Sequence, residues 1–147
     1  MQRYSLTLCT VERQTRFTTH EIVDPARSQL LQRADDFQFG IPAYCFMPDH
    51  AHILAVGESL TSDLEAFIAK VKQKTGFEFK KARRASLWQD GYYDRILRDD
   101  EETIVVARYI LANPVRAGLV VDFRDYPFSG STRYTMDELA DAMQSQG

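Results

Sequence analysis

Cysteine is scarce: the chain has two in 147 residues, Cys9 and Cys45. They form no CxxC pair, which excludes a four-cysteine zinc site and a disulfide-stapled mini-protein. Each falls in a stretch that reads as a strand, so both are expected as buried free thiols. Long apolar runs are missing too. The longest, Ala43 to Met47, has five residues, against the roughly 20 that cross a bilayer. No membrane partner is therefore expected. The first residues, MQRYSLTLCTVERQ, lack the apolar core of a signal peptide, so a cytoplasmic location is the default expectation. Low-complexity segments and internal repeats are absent. Lysine is absent from most of the chain, since all five lie between Lys70 and Lys81.

What is present is an ordinary globular composition, 44% apolar and 27% charged, in a length that suits one domain with a sizeable core. The net charge of −3 does not point to nucleic acid, but its distribution does. Residues 69–98 carry nine basic side chains and three acidic ones. Such a local excess can neutralise phosphates inside an acidic chain. The plainer reading of the same run is a solvated helix face.

Alternation marks Tyr4–Thr10 as a strand. A loop over Val11–Thr19 precedes a helix from about Asp24 to Phe37, with Pro25 in its first turn. Two strands, Ile41–Met47 and His50–Gly57, are joined by Pro48-Asp49, a turn-forming pair that predicts a hairpin. Ser62-Asp63-Leu64-Glu65 fits a capping box. Leu64, Phe67, Ile68 and Val71 then give the buried face of a second helix. Leu87–Leu97 reads as a fourth strand, and Asp99 caps a third helix running to about Ala112. Asn113 precedes a proline, which disfavours helical geometry there. The order β-α-β-β-α-β-α predicts an α+β, ferredoxin-like split β-α-β sandwich. A four-stranded antiparallel sheet would carry helices on one face, plus a C-terminal tyrosine-bearing helix. Residues 1–131 are expected as the domain and 132–147 as an acidic tail, either a short helix or flexible.

His50-Ala51-His52 is the sharpest chemical feature. Residues i and i+2 of a strand share a face, so two imidazoles stand side by side as candidate metal ligands. Two polar residues on a wet strand would read the same way. His20 is expected at the surface. Tyr109 and Asn113, four apart, fall at the edge of the third helix's apolar arc and could act on one target. A phenol needs help to attack at neutral pH, and a metal that polarises the electrophile supplies part of it. No base for the tyrosine proton is evident. Tyr92 and Tyr93 are rival nucleophiles.

Three ordered blocks then bring a family into view. Met47-Pro48-Asp49-His50-Ala51-His52-Ile53-Leu54, the run Trp88 to Arg98, and Tyr109-Ile110-Leu111-Ala112-Asn113-Pro114-Val115-Arg116-Ala117-Gly118-Leu119-Val120 resemble signatures of the HUH transposases. More narrowly, they resemble the REP-associated tyrosine transposases, relatives of the single-tyrosine insertion-sequence transposases. The resemblance covers about residues 1–131. It implies a divalent cofactor, Mg²⁺ or Mn²⁺, held by His50, His52 and Asn113, with Tyr109 as nucleophile. It implies a partner, single-stranded DNA carrying an extragenic palindromic hairpin, cut so that the tyrosine joins the 5′ phosphate. Lys70, Lys74, Lys80, Lys81, Arg83 and Arg84 become candidate backbone contacts, and Trp88, Tyr92 and Tyr93 candidate stacking platforms. Imidazole suits transition metals better than Mg²⁺, and Asn113 stands where relatives often carry the longer glutamine. Asp49 stands where asparagine is commoner. Both monomers and homodimers occur among such relatives. The alternatives are a domesticated protein that binds DNA or RNA hairpins without cutting, and a metal-storage or sensor domain. The latter leaves the lysine cluster without a role.

Overall fold

The structure, a computed structural model, describes residues 1–144; the last three residues of the expected tail lie outside the described residues. The strands are β1 (Arg3–Cys9), β2 (Phe39–Met47), β3 (His50–Gly57), β4 (Tyr93–Ile96) and β5 (Ser129–Gly130). The helices are α1 (His20–Asp36), α2 (Leu64–Arg83), α3 (Thr103–Leu111), α4 (Asn113–Arg116) and α5 (Met136–Gln144). All strand pairings are antiparallel, in the order β4-β1-β3-β2-β5. The split β-α-β core is as expected from the sequence. The sheet has five strands rather than four, because the two-residue β5 adds to the outer edge of β2. So short a strand carries no alternation to read. Its neighbourhood is fixed instead by long-range bonds: Phe46 N–H to Phe128 O at 2.8 Å, and the buried Tyr126 hydroxyl to Phe46 O at 2.6 Å.

Pairing register divides the sheet into two faces. Leu8, Phe46, Ala51 and Ile53 share one, against which Ala26 and Leu30 of α1 and Val71 of α2 pack. Ser5, Thr7, Cys45, His50, His52, Leu54 and Tyr93 share the other. α3 crosses this second face over β2 and β3, and Ala43, Cys45 and Leu54 are fully buried. The second face is thus half covered, and the open half lies over β1 and the start of β3. Truncating Leu54 to alanine would cost about 2–5 kcal/mol, as at other closed core sites.

Several local expectations shift. α1 starts at His20, four residues early, so Pro25 lies inside the helix rather than in its first turn. α2 is capped by Asp63, whose side chain accepts from Ala66 N–H at 3.1 Å. Ser62 instead donates to Gln38 O. The fourth strand shrinks to Tyr93–Ile96; upstream, only Trp88 bridges Thr10. α3 starts at Thr103, and Asp99 does not cap it. There the acidic run serves a loop, where Glu101 binds Arg95 at 2.8 Å and Arg98 N–H at 3.2 Å. Asn113 is helical after all. Ala112 breaks the helix into α3 and α4, so Pro114 enters the first turn of a new helix, where its missing N–H costs nothing. α4 ends in a Schellman motif: Gly118 takes φ +75° and donates to Val115 O, while Leu119 N–H reaches Pro114 O at 2.9 Å. Cys9 and Cys45 are buried and free. In α5, Leu139 and Ala140 join the core. No described helix is long and apolar enough to cross a membrane.

Candidate functional site

The hairpin turn before His50 is pinned from three directions. Arg16 and Phe17 both donate backbone N–H groups to Pro48 O, at 2.7 and 3.0 Å. Thr10 gives its N–H to Asp49 O at 3.0 Å, and its hydroxyl donates to Gln14 O at 2.6 Å while lying 3.0 Å from Asp49 O. The start of β3 is therefore rigid.

Asp49 accepts from Arg13, at 3.0 Å to the guanidinium tip, and sits 2.9 Å from His50 Nδ1. Its partial burial works against ionisation. The hydrogen bond from His50 and the charge of Arg13 outweigh that and hold the carboxyl below its usual range. A carboxylate can only accept, so His50 Nδ1 carries a proton. This carboxylate–imidazole pairing fixes the tautomer and ring orientation of many metal ligands. The aspartate before the first histidine has a physical role that asparagine would fill less well.

His52 is held on both ring nitrogens. The Asn113 amide nitrogen lies 3.2 Å from Nδ1, and Ser5 Oγ lies 3.1 Å from Nε2. An amide nitrogen only donates, so Nδ1 accepts and Nε2–H donates to Ser5. Burial, then the nearby charges of His50 and Arg116, push the His52 pKa down to about 4. The imidazole is neutral at pH 7.

From Asn113 the network continues outward. Its amide oxygen accepts from Arg116 at 2.8 Å, and the same guanidinium lies 4.0 Å above the Tyr109 ring. Tyr109, 62% exposed, thus connects through Arg116 and Asn113 to His52. Beneath them the Cys45 thiol is pushed up to about 12 by burial, against the opposing charge of Arg116. It is an inert core group.

The structure therefore brings His50, His52, Asn113 and Tyr109 to one region of one sheet face. Tyr93 shares that face: it pairs with Thr7, which pairs with His52, and it is 66% exposed. Tyr92 is partly buried, and its phenol pKa is raised by burial and by Asp94, Glu65 and Asp63. Trp88 is anchored inward, its indole N–H on Thr75 at 2.8 Å and its ring 5.5 Å from Phe17.

The basic residues lie on α2, against the opposite sheet face. Lys70 and Lys74 are half-buried; Lys80, Lys81, Arg83 and Arg84 are exposed. Arg83 pairs with Glu21 at 3.3 Å. Lys72 is a clamp, donating to Gln89 O at 2.8 Å and Gly91 O at 2.7 Å. His20 is at the surface beside Asp24.

Sequence reasoning missed Ser5 and Arg116. Ser5 is invisible without the β1–β3 register. Arg116 stands three residues after Asn113 and seven after Tyr109, a helical spacing hidden by ending the helix before Pro114.

Two imidazoles suit a borderline divalent ion such as Mn²⁺ better than Mg²⁺; the Asn113 amide turns its nitrogen to His52 and its oxygen to Arg116, so it would have to rotate to ligate. Among the described residues, no group of three or more His, Cys, Asp or Glu side chains could hold a metal.

The profile of the IS200-like transposases matches residues 1–113. The chain belongs to that family. The matched segment of this IS200-like transposase family member includes both histidines, Tyr109 and Asn113; Arg116 lies beyond it. The chain is similar to a protein of Haemophilus influenzae named as a candidate REP-associated tyrosine transposase, at 25% identity over 92% of this chain and 83% of that one. Its fold is similar to that of a REP-associated tyrosine transposase solved bound to a REP hairpin. The TM-score is 0.73 and the identity 22%, over 87% of this chain and 75% of the other. A candidate transposase from Deinococcus radiodurans gives a TM-score of 0.56 at 20% identity, over 77% and 91%.

Proposed function

We propose that this chain is a metal-dependent single-strand DNA endonuclease and strand transferase. It would bind palindromic hairpin DNA and cut through a 5′-phosphotyrosine intermediate. The observation that carries the reading is the continuous network Tyr109–Arg116–Asn113–His52, with His50 beside it on the same strand.

His50, His52 and Asn113 are the residues that would hold the divalent cation. Bound there, it would supply Lewis-acid stabilisation of the developing phosphate charge. Each protein group has its own task. Asp49 keeps His50 in one tautomer. Ser5 and Asn113 fix the His52 ring until ligation exchanges one of those bonds. Arg116 holds the Tyr109 ring and places a cation where the scissile phosphate must arrive. Tyr109 Oη attacks phosphorus; the Oη–P bond forms and the P–O3′ bond breaks. The phenol proton passes to water, and the departing 3′ oxygen takes one up. Tyr109 is exposed, so solvent can reach that proton.

A second reading, hairpin binding without cutting, draws on one feature: both ring nitrogens of His52 already have protein partners. A denaturing gel of end-labelled hairpin DNA, incubated with the protein and Mn²⁺ or Mg²⁺, separates the two. The nuclease reading expects a cut strand with a free 3′-hydroxyl and a covalent protein–DNA band. Binding with neither product, under both metals, supports the second reading.

A further inference from the structure

Phe77 stands 69% exposed in the middle of α2. Its neighbours Phe67 and Phe79 are buried, so this is no fault of helix phasing. Lys70, Lys74, Phe77 and Lys81 follow the spacing i, i+4, i+7, i+11, which places them within about 60° on a helix. Lys80 flanks the stripe. Among the described residues none of these four lysines has an ion pair or a side-chain hydrogen bond, in contrast to Lys72 and Arg83. A bare aromatic ring framed by free cations is poor packing for solubility and good packing for a ligand that is both flat and anionic.

The surface around the ring is hollow on both sides. One flank is a groove of about 380 Å³ between α2 and residues 86–90, lined by Gln73, Gly76, Phe77, Lys80, Trp88 and Asp90. The other, beside Gln73 and Lys74, is about 230 Å³. Gly76 leaves the groove floor open: a Cβ there would stand 3.8 Å from Trp88 Cδ1. The groove is of small-ligand size. Its polar groups divide by kind. Lys80 lines the groove, and so do Gln73 and Asp90; a carboxylate there repels phosphate and accepts from the amino groups of bases.

We propose that this groove takes an unpaired base of a DNA strand, stacked on Phe77, while Lys70, Lys74, Lys80 and Lys81 neutralise the phosphates on either side. The hairpin arm of the test rests on the function proposed above; the stacking site itself does not. Phosphates alone would need only the lysines, and a protein partner would not need four free cations around one ring. Stacking also tolerates any base, so the site grips without reading sequence.

The test uses the full chain and oligonucleotides with one 2-aminopurine at successive unpaired positions of a hairpin, oligo-dT, a fully paired duplex, and the RNA counterpart of the hairpin. Affinity is read by anisotropy and stacking by quenching. Wild type is expected to quench one unpaired position. Phe77→Ala should lose that quenching and about tenfold in affinity for unpaired DNA, with the salt slope unchanged. Phe77→Trp should retain both. Gly76→Leu, which fills the groove without removing a contact, should mimic Phe77→Ala. Affinity and quenching unchanged in Phe77→Ala, an equal loss on the paired duplex, or tighter binding of the RNA would overturn the proposal. Phe77-dependent binding of oligo-dT without any preference for the hairpin would uphold the stacking site and count against the hairpin reading.

Discussion

The polar side chains on β3 and those on the outer face of α2 are held in opposite ways. On β3, His50 is fixed by Asp49 and Arg13, and His52 by Ser5 and Asn113. On α2, Lys70, Lys74, Lys80 and Lys81 have no partner among the described residues. Bond-making needs reacting groups within tenths of an ångström. Holding a flexible polyanion needs only charge of the right sign within a Debye length. Under the function proposed above, the contrast would separate a face for chemistry from one for grip. It also predicts that substitutions on the two faces will damage different quantities.

The largest effect should come from Tyr109→Phe. It removes the attacking oxygen and leaves the ring, so covalent DNA attachment should vanish while DNA affinity stays within a few-fold. An adduct that persists would pass the role to Tyr93, which shares the face, or to Tyr92. Next comes His50→Ala with His52→Ala. Metal-dependent cleavage should be lost, with the circular dichroism of a folded domain retained; cleavage surviving at the wild-type rate would remove the metal assignment.

Arg116→Ala sharpens the comparison. It releases both Tyr109 and Asn113, so the rate at saturating DNA should fall about a hundredfold with little change in Kd. Lys70→Gln with Lys74→Gln should do the reverse. The saturating rate should hold, while affinity falls and the slope of log K against log salt flattens by about 1.4. If both variants lower the same parameter, the two faces do not divide the work.

A last effect, on stability rather than on activity, is one of pH. In metal-free protein the His52 pKa is about 4, against 6.5 unperturbed. Between those values the unfolded chain binds more protons than the folded one. Stability should therefore rise with pH across that window and fall on acidification, by at most about 3 kcal/mol. Imidazole NMR signals of His52 that titrate near 6.5 would contradict this.

Much of this arrangement was legible in the sequence. Period-two alternation marked β1, Pro48-Asp49 marked the hairpin of β2 and β3, and His-x-His gave the shared face directly. What was not legible depends on register or on caps. β5 is too short for any periodicity. Ser5 meets His52 only because β1 pairs with β3 in one register. Arg116 was hidden by Pro114, which reads as a helix stop but here opens a second helix. Asp99 reads as a cap, but the helix starts four residues later, and Glu101 of the same acidic run engages Arg95 and Arg98. Phe77 gave no signal as an apolar residue among lysines, since nothing in the chain says which helical positions remain bare.

The most direct test of the central claim is to trap the reaction on hairpin DNA, digest the protein and the DNA, and locate the nucleotide-bearing peptide by mass spectrometry. A 5′-linked nucleotide on Tyr109 is the expected result. The same mass on Tyr93 or Tyr92, or cleavage with no protein-linked nucleotide at all, would contradict the account.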